Sequence, residues 1–268
     1  MKSIDCELYR DNFQNFRRYN IPRAQLVIAD IPYNLANNAY ASSPEWYIGG
    51  DNKNGESDKA NKAFFGTDEK FNLVEYFHFC GNLLKKEPKV TNQSPCMIVF
   101  CSFQQLHMMI DTAKKYGFKG NIPLVFIKNT SAQVLKANMK IVGATEYGLV
   151  LYRDKLPKFR NDGRMVLNWF EYRQDSNVPK IHPTQKPINL LKRLIEVYTD
   201  PGDVVIDPCA GSGTTLRAAY ETGRHSYGFE VSKEFYVSAQ RDMLANMQAG
   251  LQGYEVEKQR FEQMKMYS

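Results

Sequence analysis

Residues 203–216 read DVVIDPCAGSGTTL, and this stretch decides the fold class. An apolar run ends on Asp207, passes through a loop of small residues that includes Gly211 and Gly213, and continues into a helix near Thr214. Glycines let a ligand approach the backbone closely, and the first turn of a helix offers free N–H groups. The loop lacks the Gly-Lys-Ser/Thr of a Walker A loop and the third glycine of the dinucleotide fingerprint.

The next predicted strand, 226–229, leads directly to Glu230, which lies seventeen residues after Gly213. An acid at this point can accept hydrogen bonds from both hydroxyls of a ribose. The alternative is that Glu230 only starts the following helix. Taken together, the strand, the glycine loop, the helix, the second strand and the acid predict a site for an adenosine-containing ligand.

The rest of the chain continues this alternation of strands and helices. Strands are predicted at 26–29, 95–101, 122–127, 146–152, 203–206 and 226–229, and helices at 71–84, 104–116, 188–198, 214–222 and 232–247. The pattern predicts an α/β fold with a mostly parallel sheet and helices on both faces. The length of 268 residues allows a single domain over 1–268. The charged residues 252–268 are expected to fray.

Composition excludes several other classes of protein. The chain is 43% hydrophobic and 24% charged, which is ordinary for a globular protein. Its longest apolar runs fall far short of the roughly 20 residues that a membrane span needs, and its first 20 residues lack the apolar region of a secretory signal. Its five cysteines form no C-x-x-C pair and its four histidines are scattered, so we expect no metal, reduced thiols and a cytoplasmic protein.

Charge is distributed unevenly along the chain. The formal net charge is +6, and residues 128–180 hold ten Lys or Arg against five Asp or Glu, with Trp169, Phe170 and Tyr172 among them. Such a segment is often only a solvated face. It is also what binding to a phosphate backbone requires. The long polar stretch 36–70 is expected to be a functional or mobile loop, since loops of this length in a compact domain are rarely idle.

A second acid follows a predicted strand at residues 25–35, which read QLVIADIPYNL. The apolar run 26–29 ends at Asp30, and Pro32, Tyr33 and Asn34 come directly afterwards. Proline and asparagine are turn formers, so one interpretation is a simple turn. The other is a site at which Asp30 and Tyr33 hold a flat ligand that forms hydrogen bonds.

Three segments together resemble a known family. DIPYNL resembles the D/N/S-P-P-Y/F motif of amino-methyltransferases, and DPCAGSGTT resembles their loop for S-adenosylmethionine. Between them, residues 182–195, HPTQKPINLLKRLI, are similar to the segment that precedes this loop in DNA adenine-N6 and cytosine-N4 methyltransferases. The D-x-P-Y element comes first and the cofactor loop near the C-terminus, an order that matches the permuted β group of those enzymes.

The resemblance implies a Rossmann-like methyltransferase sheet with a small inserted target-recognition region at 128–180 and a mobile, DNA-facing loop at 36–70. It implies S-adenosylmethionine as cofactor and DNA as partner, with neither metal nor membrane, and it leaves open a homodimer and a cognate restriction endonuclease. The expected reaction is methyl transfer to N6 of an adenine flipped out of the base stack. The alternatives are transfer to N4 of cytosine and a catalytically inactive DNA-binding relative.

The same resemblance implies roles for individual residues. Asp30 would accept one hydrogen of the target amino group, a backbone carbonyl of the turn at 31–32 would accept the other, and Pro32 would stiffen that turn. Tyr33 would stack on the base, a contact worth about 1–3 kcal/mol. The substrate-binding residues would be Tyr33, Asn34, Lys128 and Arg160. The cofactor-binding residues would be Asp207, Cys209, Ala210, Gly211, Ser212, Gly213, Thr214 and Glu230, with Thr184, Gln185 and Lys186 bordering the methionine end.

Two positions depart from the family pattern. Ile31 stands where proline is common, which loosens the turn but leaves Asp30 in place. An aspartate at position 30 is commoner in the adenine enzymes. Cys209 stands where phenylalanine is usual, which predicts either a compensating aromatic residue or weaker cofactor binding; a small buried thiol is a better description of it than a reactive one. Lys186 has the alternative of being a solvated lysine ahead of a helix.

Overall fold

A computed structural model describes residues 3–32, 71–129, 134–136, 141–173, 175, 177–182, 185–245 and 247–266. The predicted site residues Tyr33, Asn34 and Thr184 and the loop 36–70 lie outside these described residues. The strands are β1 (Cys6–Tyr9), β2 (Leu26–Asp30), β3 (Cys96–Cys101), β4 (Gly120–Lys128), β5 (Val134–Lys136), β6 (Ile141–Val142), β7 (Thr145–Tyr152), β8 (Trp169–Tyr172), β9 (Val204–Asp207) and β10 (His225–Phe229).

Eight of these strands form one sheet in the order β1-β10-β9-β2-β3-β7-β4-β8. Every neighbouring pair is parallel except the two pairs that β7 makes, with β3 and with β4. Strands β5 and β6 pair separately. The mostly parallel sheet that the sequence predicts is therefore confirmed. The short edge strands β1 and β8 have no counterpart in the sequence prediction.

Helices cover both faces of the sheet. They are α1 (Leu73–Leu83), α2 (Leu106–Lys115), α3 (Ile188–Tyr198), α4 (Thr214–Glu221), α5 (Lys233–Ser238) and α6 (Met247–Met266), with 3-10 turns at Phe13–Arg18 and Phe103–Gln105. Helix α1 begins where the side chain of Asn72 accepts hydrogen bonds from the N–H groups of Val74 and Glu75. Helix α2 is followed by Gly117, which has a φ of 85° and ends the helix as predicted.

The C-terminal region differs from the sequence prediction. The helix predicted over 232–247 is divided, because a π-helical turn at Ala239–Met243 separates α5 from α6. Residues 252–266, which the sequence predicts to fray, are helical and belong to α6. Tyr254 on α6 donates a hydrogen bond of 2.5 Å to Glu196 on α3, and this contact holds α6 against the domain.

The central strands are buried on both sides, as expected for parallel strands between two helical layers. Side chains alternate along β2 and β3, so that Ile28 and Ile98 pack with α3 and α4 while Val27 and Val99 pack with α1 and α2. All of these side chains are buried. Two apolar clusters, one on each face, therefore hold the sheet between its helices. Within the described residues, no helix has the length and apolarity to cross a bilayer.

The topology brings the predicted site segments to one edge of the sheet, called here the carboxyl edge. Strands β2, β9 and β10 are parallel neighbours, so Asp30, Asp207 and Glu230 all lie where these strands end. Strand β4 also ends there at Lys128, and the antiparallel β7 begins there at Thr145. The opposite edge is called the amino edge. Ligands of open α/β sheets bind outside the carboxyl ends of the strands.

Candidate active site

The glycine-rich loop links β9 to α4 at the carboxyl edge. Gly211 and Gly213 have φ values of 51° and 78°, a backbone region that side chains other than glycine rarely adopt. The N–H of Ala210 donates to the carbonyl of Phe229 at 2.9 Å, and the N–H of Gly213 donates to the carbonyl of Ala210 at 2.7 Å. The loop is thus a tight turn fastened to the end of β10. Ser212 and Thr214, also predicted to bind cofactor, are buried, with their hydroxyl oxygens 3.4 Å apart.

Glu230 joins this loop to the segment that follows β10. Its Oε2 accepts a hydrogen bond from the N–H of Gly211 at 2.9 Å, and its Oε1 accepts one from the N–H of Ser232 at 2.7 Å. Burial raises the pKa of this carboxyl, and the hydrogen bonds from backbone N–H groups oppose that rise. Helix α5 is capped by Ser232, whose side chain accepts from the N–H of Phe235. Glu230 therefore does more than start a helix: it fixes the glycine loop.

Asp207 is the buried acid at the start of the loop. Its Oδ1 accepts a hydrogen bond from the N–H of Cys209 at 2.9 Å. Burial raises the pKa of Asp207 to about 7; hydrogen bonds from Thr215 and Cys209 oppose the rise, and the nearby charges of Asp30 and Glu230 add to it. The carboxyl groups of Asp30 and Glu230, at the ends of the two strands beside β9, therefore both act on Asp207.

Cys209 lies close to a buried aromatic side chain. Tyr76 on α1 is fully buried. Burial raises the pKa of its hydroxyl well above the usual value, and the nearby Cys80 and Cys209 add to that rise. Burial also raises the pKa of the Cys209 thiol, as does Asp207. The Cys209 thiol is therefore held in its neutral form, and the side chain of Tyr76 from α1 lies near it.

The turn that follows Asp30 is anchored on both sides. Ile31, which the sequence suggests would loosen the turn, is 2% exposed and packs into the apolar cluster on the α1 face. The carbonyl of Pro32 accepts a hydrogen bond of 3.4 Å from Nε2 of Gln105. Gln105 is itself fixed, since its Oε1 accepts from the N–H of Ser102 at 3.0 Å. Ile31 is therefore a core residue, and the hydrogen bond from Gln105 joins the turn to the segment after β3.

A buried chain of charges lies beside Asp30. Nζ of Lys186 donates to Oδ2 of Asp30 at 2.6 Å and forms an ion pair of 3.3 Å with Oε2 of Glu146. Nζ of Lys128 donates to the other oxygen of Glu146 at 2.9 Å. Lys186 is 6% exposed, so it is not the solvated lysine that the sequence allows. Carboxylates and ammonium groups thus alternate across the ends of β2, β7 and β4.

This arrangement shifts the proton equilibria of its members. Burial alone would raise the pKa of Glu146, but the charges of Lys186 and Lys128 outweigh it and lower that pKa to about 2. Burial alone would lower the pKa of Lys186, but Asp30 and Glu146 outweigh it and raise that pKa. Burial, followed by the charge of Lys186, lowers the pKa of His182 to about 4. His182 is therefore neutral near pH 7.

The basic residues of 128–180 do not form one surface. Lys128 lies at the carboxyl edge, but Arg160 lies at the amino edge, where its guanidinium contacts both oxygens of Asp200 at 2.7 and 2.8 Å. Lys158, at the same edge, pairs with Asp200 and Asp203. Phe170 is a core residue of the α3 face. The structure does not bring Arg160 to the other predicted site residues, because the chain leaves β7 at the opposite end of the sheet.

The side chain of Gln185 forms hydrogen bonds within its own segment. Its Oε1 accepts from the N–H of Ile181 at 3.2 Å, and its Nε2 donates to the carbonyl of Pro179 at 3.0 Å, so the side chain shapes its own loop.

The sequence does not identify two residues of the site, Glu146 and Gln105. No local signal identifies either residue, because an acid at the start of a strand and a glutamine at the start of a helix are common. Among the described residues, no cluster of His, Cys, Asp or Glu could hold a metal ion.

Comparisons with known proteins agree with this geometry. The chain is 34% identical over 136 residues to the DNA adenine methyltransferase YhdJ of Escherichia coli (strain K12), a match covering 50% of this chain. That match spans 42% of YhdJ, which is less than half of its length. The chain is also 25% identical over 254 residues to the type II methyltransferase M2.DpnII of Streptococcus pneumoniae, covering 89% of each chain.

A solved structure and a family model extend the comparison. The structure of the M1.HpyAVI–SAM complex matches with a TM-score of 0.64 at 21% identity, covering 88% of this chain and 97% of that one, and this likeness concerns the fold. The model of the family described as DNA methylase matches residues 24–241, which include Asp30, the charge chain beside it, the glycine loop and Glu230. The chain therefore belongs to the DNA methylase family.

Proposed function

We propose that this chain transfers a methyl group from S-adenosylmethionine to the exocyclic N6 of an adenine flipped out of DNA. The observation that carries the proposal is the meeting of two motifs at one edge of the sheet. The turn after Asp30 and the glycine loop after Asp207 end the neighbouring parallel strands β2 and β9. An acceptor for an amino group and a loop for an adenosine-containing cofactor are thereby adjacent, in a member of the DNA methylase family.

The residues of the glycine loop fit a cofactor of this kind. A Cβ added at Gly211 would approach no atom closer than 3.9 Å, so this glycine leaves open space beside Glu230. The carboxylate of Glu230 accepts the backbone N–H groups of Gly211 and Ser232, and a carboxylate has about four lone-pair sites, which suits it to accept a ribose hydroxyl as well. The carboxyl groups of Asp207 and Glu230 adjoin this loop, because each accepts a hydrogen bond from one of its backbone N–H groups. When bound, S-adenosylmethionine supplies a methyl group on a positively charged sulfur, and this sulfur is the leaving group of the transfer.

The loop residues proposed to hold the cofactor are those identified by resemblance, namely Asp207, Cys209, Ala210, Gly211, Ser212, Gly213 and Thr214, with Thr184 and Gln185 bordering its methionine end. Tyr76 is proposed as the aromatic residue that compensates for Cys209. It lies on α1 rather than within the motif, and it is fully buried.

The acceptor side is built around Asp30. An exocyclic amino group is a poor nucleophile because its lone pair is delocalised into the ring. Asp30 accepts one amino hydrogen and a carbonyl of the turn at 31–32 accepts the other, which stabilises the positive charge that develops on nitrogen. Gln105 and Ile31 keep this turn in place. Tyr33 supplies the ring on which the flipped base stacks, and Asn34 and Lys128 are proposed as further substrate contacts.

Two features favour adenine as the target base, and one feature is equally compatible with cytosine. Aspartate at position 30 is commoner in the adenine enzymes, and YhdJ is named as an adenine methyltransferase. The same acceptor pair would serve N4 of cytosine equally well, so that reaction is the second candidate.

We further propose that the protein acts in the cytoplasm, that it forms a homodimer and that it has a restriction endonuclease as partner. The type II designation of the Streptococcus pneumoniae relative supports the endonuclease.

The test is mass spectrometry of nucleosides from unmethylated DNA incubated with the protein and S-adenosylmethionine. N6-methyl-2′-deoxyadenosine is the expected product, and an Asp30→Asn variant, which keeps the shape of the side chain but not its charge, should yield little of it. N4-methylcytosine would keep the mechanism and overturn the base assignment. No methylated nucleoside from any DNA would overturn the proposed activity in favour of a binding-only relative.

A further inference from the structure

We propose that Lys186 and Glu146 are positioning residues for Asp30: Lys186 holds the carboxylate of Asp30, and Glu146 holds Lys186. This inference rests on the proposed function, because it gives Lys186 a task on the acceptor side of the reaction. The resemblance of residues 182–195 instead suggests that Lys186 borders the cofactor. The two roles have different measurable consequences.

The contacts around Lys186 are those of a fixed side chain. Its Nζ lies 2.6 Å from Oδ2 of Asp30 and 3.3 Å from Oε2 of Glu146, and 5.0 Å from the centre of the Phe100 ring. The side chain is 6% exposed. These partners belong to β2, β7 and β3, which the sheet holds in register. A buried ammonium held from three strands has little rotational freedom, so it can fix the orientation of the carboxylate it touches.

Glu146 is in turn held by groups from two further strands. Lys128, at the end of β4, donates to its Oε1 at 2.9 Å. Tyr172, at the end of β8, lies next to it: burial and then the charge of Glu146 raise the pKa of that hydroxyl. Asp30 therefore stands at the inner end of a chain of alternating charges that crosses four strands. Lys186 contacts Asp30 and Glu146, and Lys128 contacts Glu146. Every charge in this chain therefore has a neighbour of opposite sign.

Removing Lys186 would reverse the electrostatic balance at Asp30. Within the part of the chain that the structure describes, the titratable groups shown to act on or pair with Asp30 are Lys186, Cys101, Tyr172, Asp207 and Cys209, and Lys186 is the cation among these five. Lys186 itself faces Asp30, Glu146 and the neutral His182. Without its ammonium, the carboxyl groups of Asp30 and Glu146 would lose the cation between them, with Asp207 near by. Nearby like charges favour the protonated acid, and a protonated Asp30 cannot accept the amino hydrogen as effectively.

The test compares Lys186→Gln, Lys186→Arg and Glu146→Gln with a matched control, Lys158→Gln. Lys158 is also a buried lysine held by two carboxylates, at 2.7 and 2.8 Å, but it lies at the amino edge. We expect Lys186→Gln to lower kcat about 10²-fold, as misplacement of a reacting group by about 1 Å does. We expect a smaller loss, about 10-fold, for Glu146→Gln, as for groups that orient a functional ligand from behind. The affinity for S-adenosylmethionine should be unchanged in both.

The pH profile separates a positioning role from a structural one. Removing the cation raises the pH at which Asp30 ionises, so the acid limb of kcat at saturating cofactor should move to higher pH in Lys186→Gln. Lys186→Arg, which keeps the charge, should restore the limb towards its wild-type position. Lys158→Gln should leave the limb unmoved even if it lowers thermal stability. An equal movement of the limb in Lys158→Gln would overturn the inference.

Two further measurements distinguish this inference from its alternatives. If Lys186→Gln weakens S-adenosylmethionine binding and leaves kcat at saturation unchanged, Lys186 is a cofactor contact and the positioning role is wrong. The protonation of Asp30 can also be followed directly, by titrating the NMR signal of its carboxyl carbon. This measurement does not depend on methyl transfer. An upward shift of its midpoint in Lys186→Gln supports the positioning role even if the wild-type protein methylates nothing, in which case the proposed function alone has failed. An unmoved midpoint overturns the positioning role.

Discussion

Asp30 is the residue whose role is most directly open to test. Asp30→Ala should lower the rate of methyl transfer by at least about 10²–10³-fold, because an acceptor aimed at developing charge contributes that much. It should spare the affinity for S-adenosylmethionine, since Asp30 lies on β2 whereas the glycine loop is fastened to β10 through Glu230. Single-turnover methyl transfer and a binding isotherm measure the two quantities separately. Parallel loss of both would mean that Asp30 belongs to the cofactor site.

At this scale, the sequence predicts those site residues that come from contiguous motifs. Asp207, Glu230 and the glycines can be predicted because strand, loop and acid follow one another along the chain. Glu146 cannot, because its contact with Lys186 depends on how β7 lies in the sheet. The motif around Lys186 suggests a contact with the cofactor, but its partner Asp30 is 156 residues away. Local sequence identifies a residue type and a turn, whereas the sheet decides which charges meet.

The elements of the core were predictable because the central strands are buried on both faces. Continuous apolar runs such as 26–29 and 96–101 mark strands β2 and β3. The edge strands β1 and β8 are four residues long and contain polar residues, so their sequences give no such signal. The break between α5 and α6 was also missed. A π-helical turn needs no glycine or proline, and the sequence between 239 and 243 contains neither.

The close contact between α4 and β10 gives a prediction for stability. A Cβ at Gly228 would lie 2.7 Å from Cδ1 of Leu216, 3.0 Å from Cβ of Ala210 and 3.2 Å from the carbonyl of Asp207. Gly228→Ala should therefore lower the free energy of unfolding by about 1–3 kcal/mol, the usual cost of overpacking a core. Because the displaced groups carry the glycine loop, the affinity for S-adenosylmethionine should fall as well. Chemical denaturation and cofactor titration measure the two effects.

A glycine in α1 provides the control for this substitution. A Cβ at Gly81 would meet no atom within 4 Å. Gly81→Ala should raise the free energy of unfolding by about 0.4–1 kcal/mol, because alanine restricts the unfolded chain and favours the helix. Cofactor affinity should not change. If Gly228→Ala proves as harmless as Gly81→Ala, α4 can move away from β10 at little cost and the loop is less rigid than its contacts indicate.

The basic residues of the molecule can be counted from the sequence, but their positions in the fold cannot be read from it. The sequence concentrates basic residues in 128–180, but the sheet divides this segment between its two edges. At the amino edge, Arg160 and Lys158 bind Asp200 and Asp203, and Lys155 donates to two backbone carbonyls, so this part of the positive charge holds the domain together. Arg173 follows the end of β8 at the carboxyl edge and is exposed. The sequence alone does not show which basic residues form contacts within the domain and which are exposed at the carboxyl edge.

This division predicts how DNA binding should respond to salt. If DNA lies across the carboxyl edge, Arg173→Gln should weaken DNA binding and reduce the slope of log affinity against log salt by about 0.9, the loss of one neutralised phosphate on duplex DNA. Arg160→Gln removes the same charge at the amino edge and should leave that slope unchanged, although it breaks the pair with Asp200 and lowers thermal stability. Fluorescence anisotropy of a labelled duplex from low to moderate salt gives both slopes. Equal reductions would mean that both edges contact DNA, and a flat dependence in the wild-type protein would exclude binding through phosphate contacts altogether.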